Sequence, residues 1–124
     1  MNLLLDTQVL VWSILGLPHL SPRARRAISD TDNTVYVSLV SAWEIAIKKS
    51  IGKLHLPDDL EGVISRTGFV AAFPTFDDTR ILERLPLIHR DPFDRLLVAQ
   101  AKRGNLGIVT SDRQIARYDV DVIW

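Results

Sequence analysis

At 124 residues the chain is long enough for one hydrophobic core and too short for two. Lys plus Arg equals Asp plus Glu, 15 of each, which excludes the strong basic field of a protein that coats nucleic acid and leaves room only for a local patch. The absence of cysteine excludes disulfides, thiolate catalysis and cysteine-based zinc sites, and fits a reducing cytoplasm.

The first element is the apolar triplet Leu3-Leu4-Leu5, which reads as a strand buried on both faces of a parallel sheet. Thr7 to Leu15 is apolar and helical in length, with Gly16 and Pro18 as its stop. Ser21-Pro22 places a cap before a proline at the first helical position and predicts a helix to about Ser29. Thr34 to Leu39, rich in β-branched and aromatic residues, predicts a second strand. Ser41 to about Ile51 predicts a helix stopped by Gly52, and Asp58 to about Arg66 another between Pro57 and Gly68. Phe69 to Phe73 reads as a third strand and Asp77 to Leu85 as a short helix ended by Pro86. Asp91 to about Arg103 predicts a helix with Gly104 at its end. Gly107 to Thr110 reads as a fourth strand, Asp112 to Tyr118 as a short helix, and Val120 to Trp124 as the last strand. Strands alternating with helices predict an α/β fold with a parallel sheet and right-handed crossovers. The chain starts and ends in a strand, so one domain over residues 1–124 is expected. No apolar stretch approaches the roughly 20 residues that span a bilayer, and the N-terminus lacks the basic region of a signal peptide, so a cytoplasmic protein with no membrane contact is expected.

Four acids stand where this sheet would gather them. Asp6 closes the first strand, Glu44 sits in the first turn of its helix, Asp94 opens another helix, and Asp112 follows the fourth strand. Those points share the edge where ligands bind in open α/β sheets. Clustered carboxylates repel unless a cation lies between them, and hard cations with oxygen ligands, Mg²⁺ above all, suit such a site. Each acid also has an ordinary explanation. Asp6 and Asp112 are good helix caps, Ser41-x-x-Glu44 has the form of a capping box, Glu44 has Lys48 one turn later, and Asp91-Pro92-x-Asp94 combines a cap with an acid favoured by the helix dipole. Against these stands the placement of Asp94 on one helix face with Leu97, Val98 and Ala101, and of Glu44 with Ile47 and Ile51. A carboxylate on a core-side face is rarely buried unless paired or bound to metal. Asp58, Asp59, Asp77 and Asp78 are read instead as solvated caps, and Asp91 as the cap of its own helix.

The segments Leu4-Leu5-Asp6-Thr7, Ser41-Ala42-Trp43-Glu44-Ile45, His89-Arg90-Asp91-Pro92-Phe93-Asp94-Arg95-Leu96-Leu97 and Val109-Thr110-Ser111-Asp112, with the terminal Val122-Ile123-Trp124, resemble the PIN-domain nucleases and, among them, the VapC toxins of bacterial type II toxin–antitoxin pairs. The ordered set covers nearly the whole chain. The resemblance implies a PIN fold with strand order 3-2-1-4-5 and Mg²⁺- or Mn²⁺-dependent endoribonuclease activity, usually on structured RNA. It also implies a homodimer and a VapB-type antitoxin that covers the site. Asp6, Glu44 and Asp94 match the three central acids of the family, and Asp112 the fourth, more variable one. Thr110-Ser111-Asp112 departs from the commoner Thr-Arg-Asp, which removes a phosphate contact but no ligand.

Other residues divide between roles. Thr7 and Ser41 are placed either to bond a ligand carboxylate or water or to serve as ordinary first-turn residues. Arg95 is placed for a phosphate or an antitoxin. Lys48, Lys49 and Lys53 suit either an RNA track or a solvated face. His19, His55 and His89 have no zinc-type spacing, and none is assigned as a ligand. Trp12, Ile14, Leu15, Trp43 and Ile47 are expected in the core, with some available to line a dimer or antitoxin groove. A receiver-like domain is disfavoured because Asp6 is followed by Thr7 rather than a second acid, and a P-loop hydrolase because no Gly-rich loop ends in Lys-Ser or Lys-Thr. The remaining rival is an inactive PIN-like binding module.

Overall fold

In the computed structural model, which describes residues 1–124, the leucine triplet lies at the centre of the sheet. Strand β1 (Asn2–Leu5) pairs in parallel with β2 (Thr34–Ser38) on one side and β4 (Gly107–Val109) on the other. Strands β3 (Val70–Ala72) and β5 (Val122–Ile123) complete the order β3-β2-β1-β4-β5, all parallel. This is the order that the resemblance implied.

Alternation along β1 divides the core in two. Leu3 and Leu5 join Val9 and Leu10 of α1 (Thr7–Leu15), Ala24 and Ala27 of α2 (Pro22–Ser29) and Ile64 of α4 (Leu60–Arg66). Leu4 points to the other face, against Leu97, Val98 and Ala101 of α6 (Pro92–Gly104), with α5 (Phe76–Arg84) packed beside it. Helix α3 (Leu39–Ser50) contributes Ile45 to the first cluster and Val40 to the second. It therefore straddles the sheet edge where β1 and β4 end.

Several boundaries differ from the sequence reading. Helix α3 begins at Leu39, because Ser38 caps it: its hydroxyl accepts from the Val40 N–H at 3.0 Å and donates to Gln100 Oε1. The capping box at Ser41 does not form, and Glu44 lies in the second turn. Asp59, not Asp58, caps α4. The left-handed residue after α6 is Asn105 (φ 52°), one past Gly104. The helix expected from Asp112 is a single 3₁₀ turn, Ile115–Arg117. Trp12 and Ile14 pack against the core as expected, but Leu15, Trp43 and Ile47 are exposed, and Ile51 with them. The buried residues of α3 are Val40, Ser41, Glu44 and Ile45; Ile47 and Ile51 follow Glu44 along the same side of the helix, toward its C-terminal end, and are exposed.

Asp78 is also not a solvated cap. It is fully buried, accepts from the Thr75 N–H at 2.7 Å in a capping box, and pairs with Arg103 across α5 and α6. Asp78→Ala should cost about 2 kcal/mol, from a lost cap of about 1 kcal/mol and a charged hydrogen bond discounted because Arg103 can turn to water. Urea melts of parent and variant check this. A loss under about 0.5 kcal/mol, the size of an ordinary surface substitution, would contradict it.

Candidate active site

The parallel topology brings one end of β1, one end of β4 and the N-terminal parts of α3 and α6 to a common edge. Asp6, Glu44, Asp94 and Asp112 all line one pocket there, of about 390 Å³, with Asp91 as a fifth acid and Lys48 as its cation. The four residues singled out in the sequence are thus brought together.

Each carboxylate is held differently. Asp6 is buried and caps α1, accepting from the Val9 N–H at 2.7 Å through Oδ1 and from the Thr110 hydroxyl through Oδ2. Capping and site membership therefore coincide in one residue. Burial pushes the Asp6 pKa up to about 6; the Thr110 and Val9 hydrogen bonds pull against this, and the charges of Asp112 and Glu44 add to it. Asp94 is pushed up to about 7, first by burial and then by Asp91, Asp112, Glu44 and Asp6. That its pKa is raised by all the other acids of the pocket makes the cluster one electrostatic unit. Glu44 is buried and gives Oε2 to Lys48 Nζ at 2.7 Å, while its Oε1 is buried with no hydrogen-bond partner. Asp112 accepts from the Gln114 N–H at 2.8 Å and donates its own N–H to Thr110 Oγ1 at 2.9 Å.

A cation fits the chemistry of this donor set. The donors are carboxylate oxygens, the pocket acids outnumber Lys48, and Glu44 Oε1 is a buried acceptor without a donor. Such a set suits a hard divalent ion. No three His, Asp or Glu side chains close around a common point, so the carboxylates line a pocket rather than form a finished cage.

Thr7 and Ser41 bond each other, Thr7 Oγ1 donating to Ser41 Oγ at 2.9 Å, and so tie α1 to α3 behind the acids. Arg95 donates to the Pro86 carbonyl at 2.9 Å and to the Tyr118 hydroxyl at 3.0 Å. Lys48 is bound to Glu44 and Lys49 to Asp58, which leaves Lys53 as the free member of that stretch. Asp91 caps α6 through the Asp94 N–H, as expected, and also faces the pocket.

Two residues of the site escaped the sequence reading. Thr110 lies one rung beyond the pair Leu5–Val109, opposite Asp6, a relation visible only once β1 and β4 are known to pair. His89 places Nε2 3.5 Å from Asp94 Oδ2 and Nδ1 2.7 Å from the Tyr118 hydroxyl. Tyr118 lies 29 residues further along the chain, and histidine spacing carried no sign of the contact.

Comparison with known proteins bears on the family and the fold. The sequence model of the PIN domain matches residues 3–121. No curated protein sequence matches the chain. Among solved structures, VapBC2 from Rickettsia felis, bound to a DNA fragment from its promoter, aligns with TM-score 0.72 and 16% identity, over 98% of this chain and 97% of that one. DNA-bound VapBC from Salmonella typhimurium aligns with TM-score 0.72 and 18% identity, over 98% and 96%. FitAcB from Neisseria gonorrhoeae aligns with TM-score 0.60 and 20% identity, over 97% and 95%. At these identities the structural likeness shows a common fold.

Proposed function

The chain belongs to the PIN-domain family, and from that premise we propose that it is a cytoplasmic VapC-type toxin, one PIN domain over residues 1–124 that acts as a divalent-metal-dependent endoribonuclease under the control of a VapB-type antitoxin. The observation that carries this reading is the convergence of Asp6, Glu44, Asp94 and Asp112 on one pocket, with the Asp94 carboxyl raised to about 7 by burial and by its acidic neighbours. Carboxylates held together against that cost suit a site built for a cation.

Asp6 and Asp94 are the proposed direct ligands of Mg²⁺ or Mn²⁺. Glu44 orients the attacking water or binds the ion through it, and Asp112 helps hold the first ion or completes a second site. When bound, the cation supplies charge against the phosphoryl oxygen and lowers the pKa of a coordinated water. The protein's own groups set the geometry. Val9 N–H and Thr110 Oγ1 fix the Asp6 carboxylate from behind. Glu44 Oε1 is a buried acceptor without a donor, which a water held beside the ion would supply, while Lys48 pairs with Oε2. Water adds to phosphorus, the P–O3′ bond breaks, and the products are a 5′-phosphate and a 3′-hydroxyl. The 2′-hydroxyl takes no part, so selection of structured RNA rests on shape and groove contacts.

Protein partners are supported by the surface. Leu39, Trp43, Ile47 and Ile51 form an exposed apolar stripe at four-residue spacing along α3, with Trp43 edge-on to Phe93 at 4.9 Å between ring centroids. An apolar stripe of this kind suits burial against a second protein surface, in the homodimer or in the antitoxin complex. Co-expression with the antitoxin should yield a complex in which cleavage is suppressed.

The test is cleavage of total RNA by the purified protein with Mg²⁺ or Mn²⁺ and with chelator, followed by sequencing of RNA 5′ ends after induced expression. New 5′-phosphate ends at a restricted set of sites, lost on chelation, are expected. Cleavage that persists in chelator would remove the metal from the reading. A folded, metal-binding protein that produces no new ends would favour an inactive binding module.

A further inference from the structure

Between the loop before α6 and the segment after the 3₁₀ turn, four side chains form a chain of polar contacts that reaches Asp94 from behind. Arg95 Nη1 donates to the Pro86 carbonyl at 2.9 Å and to the Tyr118 hydroxyl at 3.0 Å. The guanidinium carbon also stands 6.0 Å from the Tyr118 ring centroid. The Tyr118 hydroxyl is 2.7 Å from His89 Nδ1, and His89 Nε2 is 3.5 Å from Asp94 Oδ2. Tyr118 is 4% exposed, so water cannot freely complete its bonds.

We propose that His89 is a positioning residue for Asp94, its tautomer fixed by Tyr118 and Tyr118 fixed in turn by Arg95. The inference rests on the reading of Asp94 as a metal ligand. Donor accounting assigns the hydrogens. A guanidinium only donates, so the Tyr118 oxygen accepts from Arg95. The buried phenolic hydrogen then needs an acceptor, and His89 Nδ1 is the one within reach. An Nδ1 that accepts leaves the ring hydrogen on Nε2, the atom that faces Asp94 Oδ2. The opposite tautomer would leave the phenolic hydrogen unpaired and set a lone pair against a carboxylate. At 3.5 Å the Nε2–H to Oδ2 contact is longer than a hydrogen bond, and a small rotation of the carboxylate closes it. The tautomer thereby selects which rotation of Asp94 is favoured. His89 also explains a buried atom otherwise unaccounted for, since Nε2 has no hydrogen-bond partner. Groups of this kind behind a metal ligand fix its orientation, and their loss typically weakens metal binding 10- to 100-fold.

The test uses Mn²⁺ titration of the metal-free protein by calorimetry, and long-range ¹H–¹⁵N NMR of the histidine rings in the same metal-free state. The wild-type His89 ring should carry its hydrogen on Nε2. His89→Ala should weaken Mn²⁺ binding about 10- to 100-fold. His89→Gln, whose amide can donate from a similar position, should recover most of the loss. Tyr118→Phe should leave the ring in a mixture of tautomers and weaken binding to a smaller extent. Unchanged affinity in His89→Ala, or no rescue by His89→Gln in a folded variant, overturns the inference while Mn²⁺ binding by wild type leaves the metal site standing. An Nδ1–H ring in wild type overturns it without any variant. If wild type binds no Mn²⁺, the metal site itself fails and this inference falls with it.

Discussion

Asp94→Asn should lose RNA cleavage by on the order of 1000-fold, while the metal-free variant stays folded and is more stable than the parent at pH 8. The two halves of this expectation have one cause. The Asp94 carboxyl is raised to about 7 by burial and by Asp91, Asp112, Glu44 and Asp6. At pH 8 it is charged in a place that disfavours charge. An amide of the same shape is neutral, keeps the first turn of α6 intact and relieves the repulsion, but it is a poor ligand for a hard cation. Asp6→Asn should lose cleavage equally. It retains the cap on α1, because Asn caps about as well as Asp, and Thr110 can reverse its hydrogen bond, its hydroxyl oxygen accepting from the amide. Asp6→Ala separates the roles: it is equally inactive and also lacks the cap, worth about 1 kcal/mol. The measurements are single-turnover cleavage of one RNA and chemical melts at pH 8 in chelator. Near-parental cleavage by Asp6→Asn and Asp94→Asn would remove these acids from the catalytic site.

The residues legible in the sequence were those whose placement follows from period and punctuation. An apolar triplet ending in Asp6, and a cap and proline before Asp94, put both acids at element junctions, and a parallel sheet brings such junctions to one edge. What the sequence hid were relations across the fold. Ser38 and Ser41 are equally good caps on paper, and Ser38 prevails because its hydroxyl also meets Gln100, distant in the chain. Trp43 and Ile47 look like core by composition, yet α3 buries Val40, Ser41, Glu44 and Ile45 and leaves them exposed, since packing against both core clusters sets which residues are covered. Asp78 resembled Asp58 and Asp77 as a helix-start acid, and only the approach of α6 with Arg103 makes it a buried pair. His89 and Thr110 became visible as site residues once loops and strands were adjacent. Local chemistry thus marked the ligand candidates, and tertiary pairing supplied what holds them.

Divalent metal and pH should act on stability through the same two carboxyls. The folded-state pKa values of Asp6 and Asp94, about 6 and about 7, both lie above the ordinary 3.8. The folded state therefore binds more protons than the unfolded state between about pH 4 and 7, so stability contributed by these groups is fully present below about pH 4 and falls as pH rises through 6 and 7. For Asp6 alone the difference is about 3 kcal/mol. Asp94 adds to it, with part of its effect screened by water at the pocket mouth. In chelator, then, the parent should lose stability from pH 5 to pH 8, and the double variant Asp6→Asn with Asp94→Asn should lose much less. Mg²⁺ or Mn²⁺ reverses the sign. The ion binds only the folded site and needs the carboxylates ionised, so at 100-fold excess over Kd it should add about 2.7 kcal/mol at pH 8 and progressively less as protons compete below pH 7. Sodium chloride at equal ionic strength should give only screening. The decisive record is a set of thermal melts at pH 5, 6, 7 and 8, in chelator, in divalent metal and in matched sodium chloride. A melting temperature that responds alike to divalent metal and sodium chloride, with no difference between parent and double variant, would mean that the acids serve as helix caps alone. A divalent effect that grows with pH in the parent and disappears in the double variant would tie the cost of gathering these carboxylates to the ion they are built to hold.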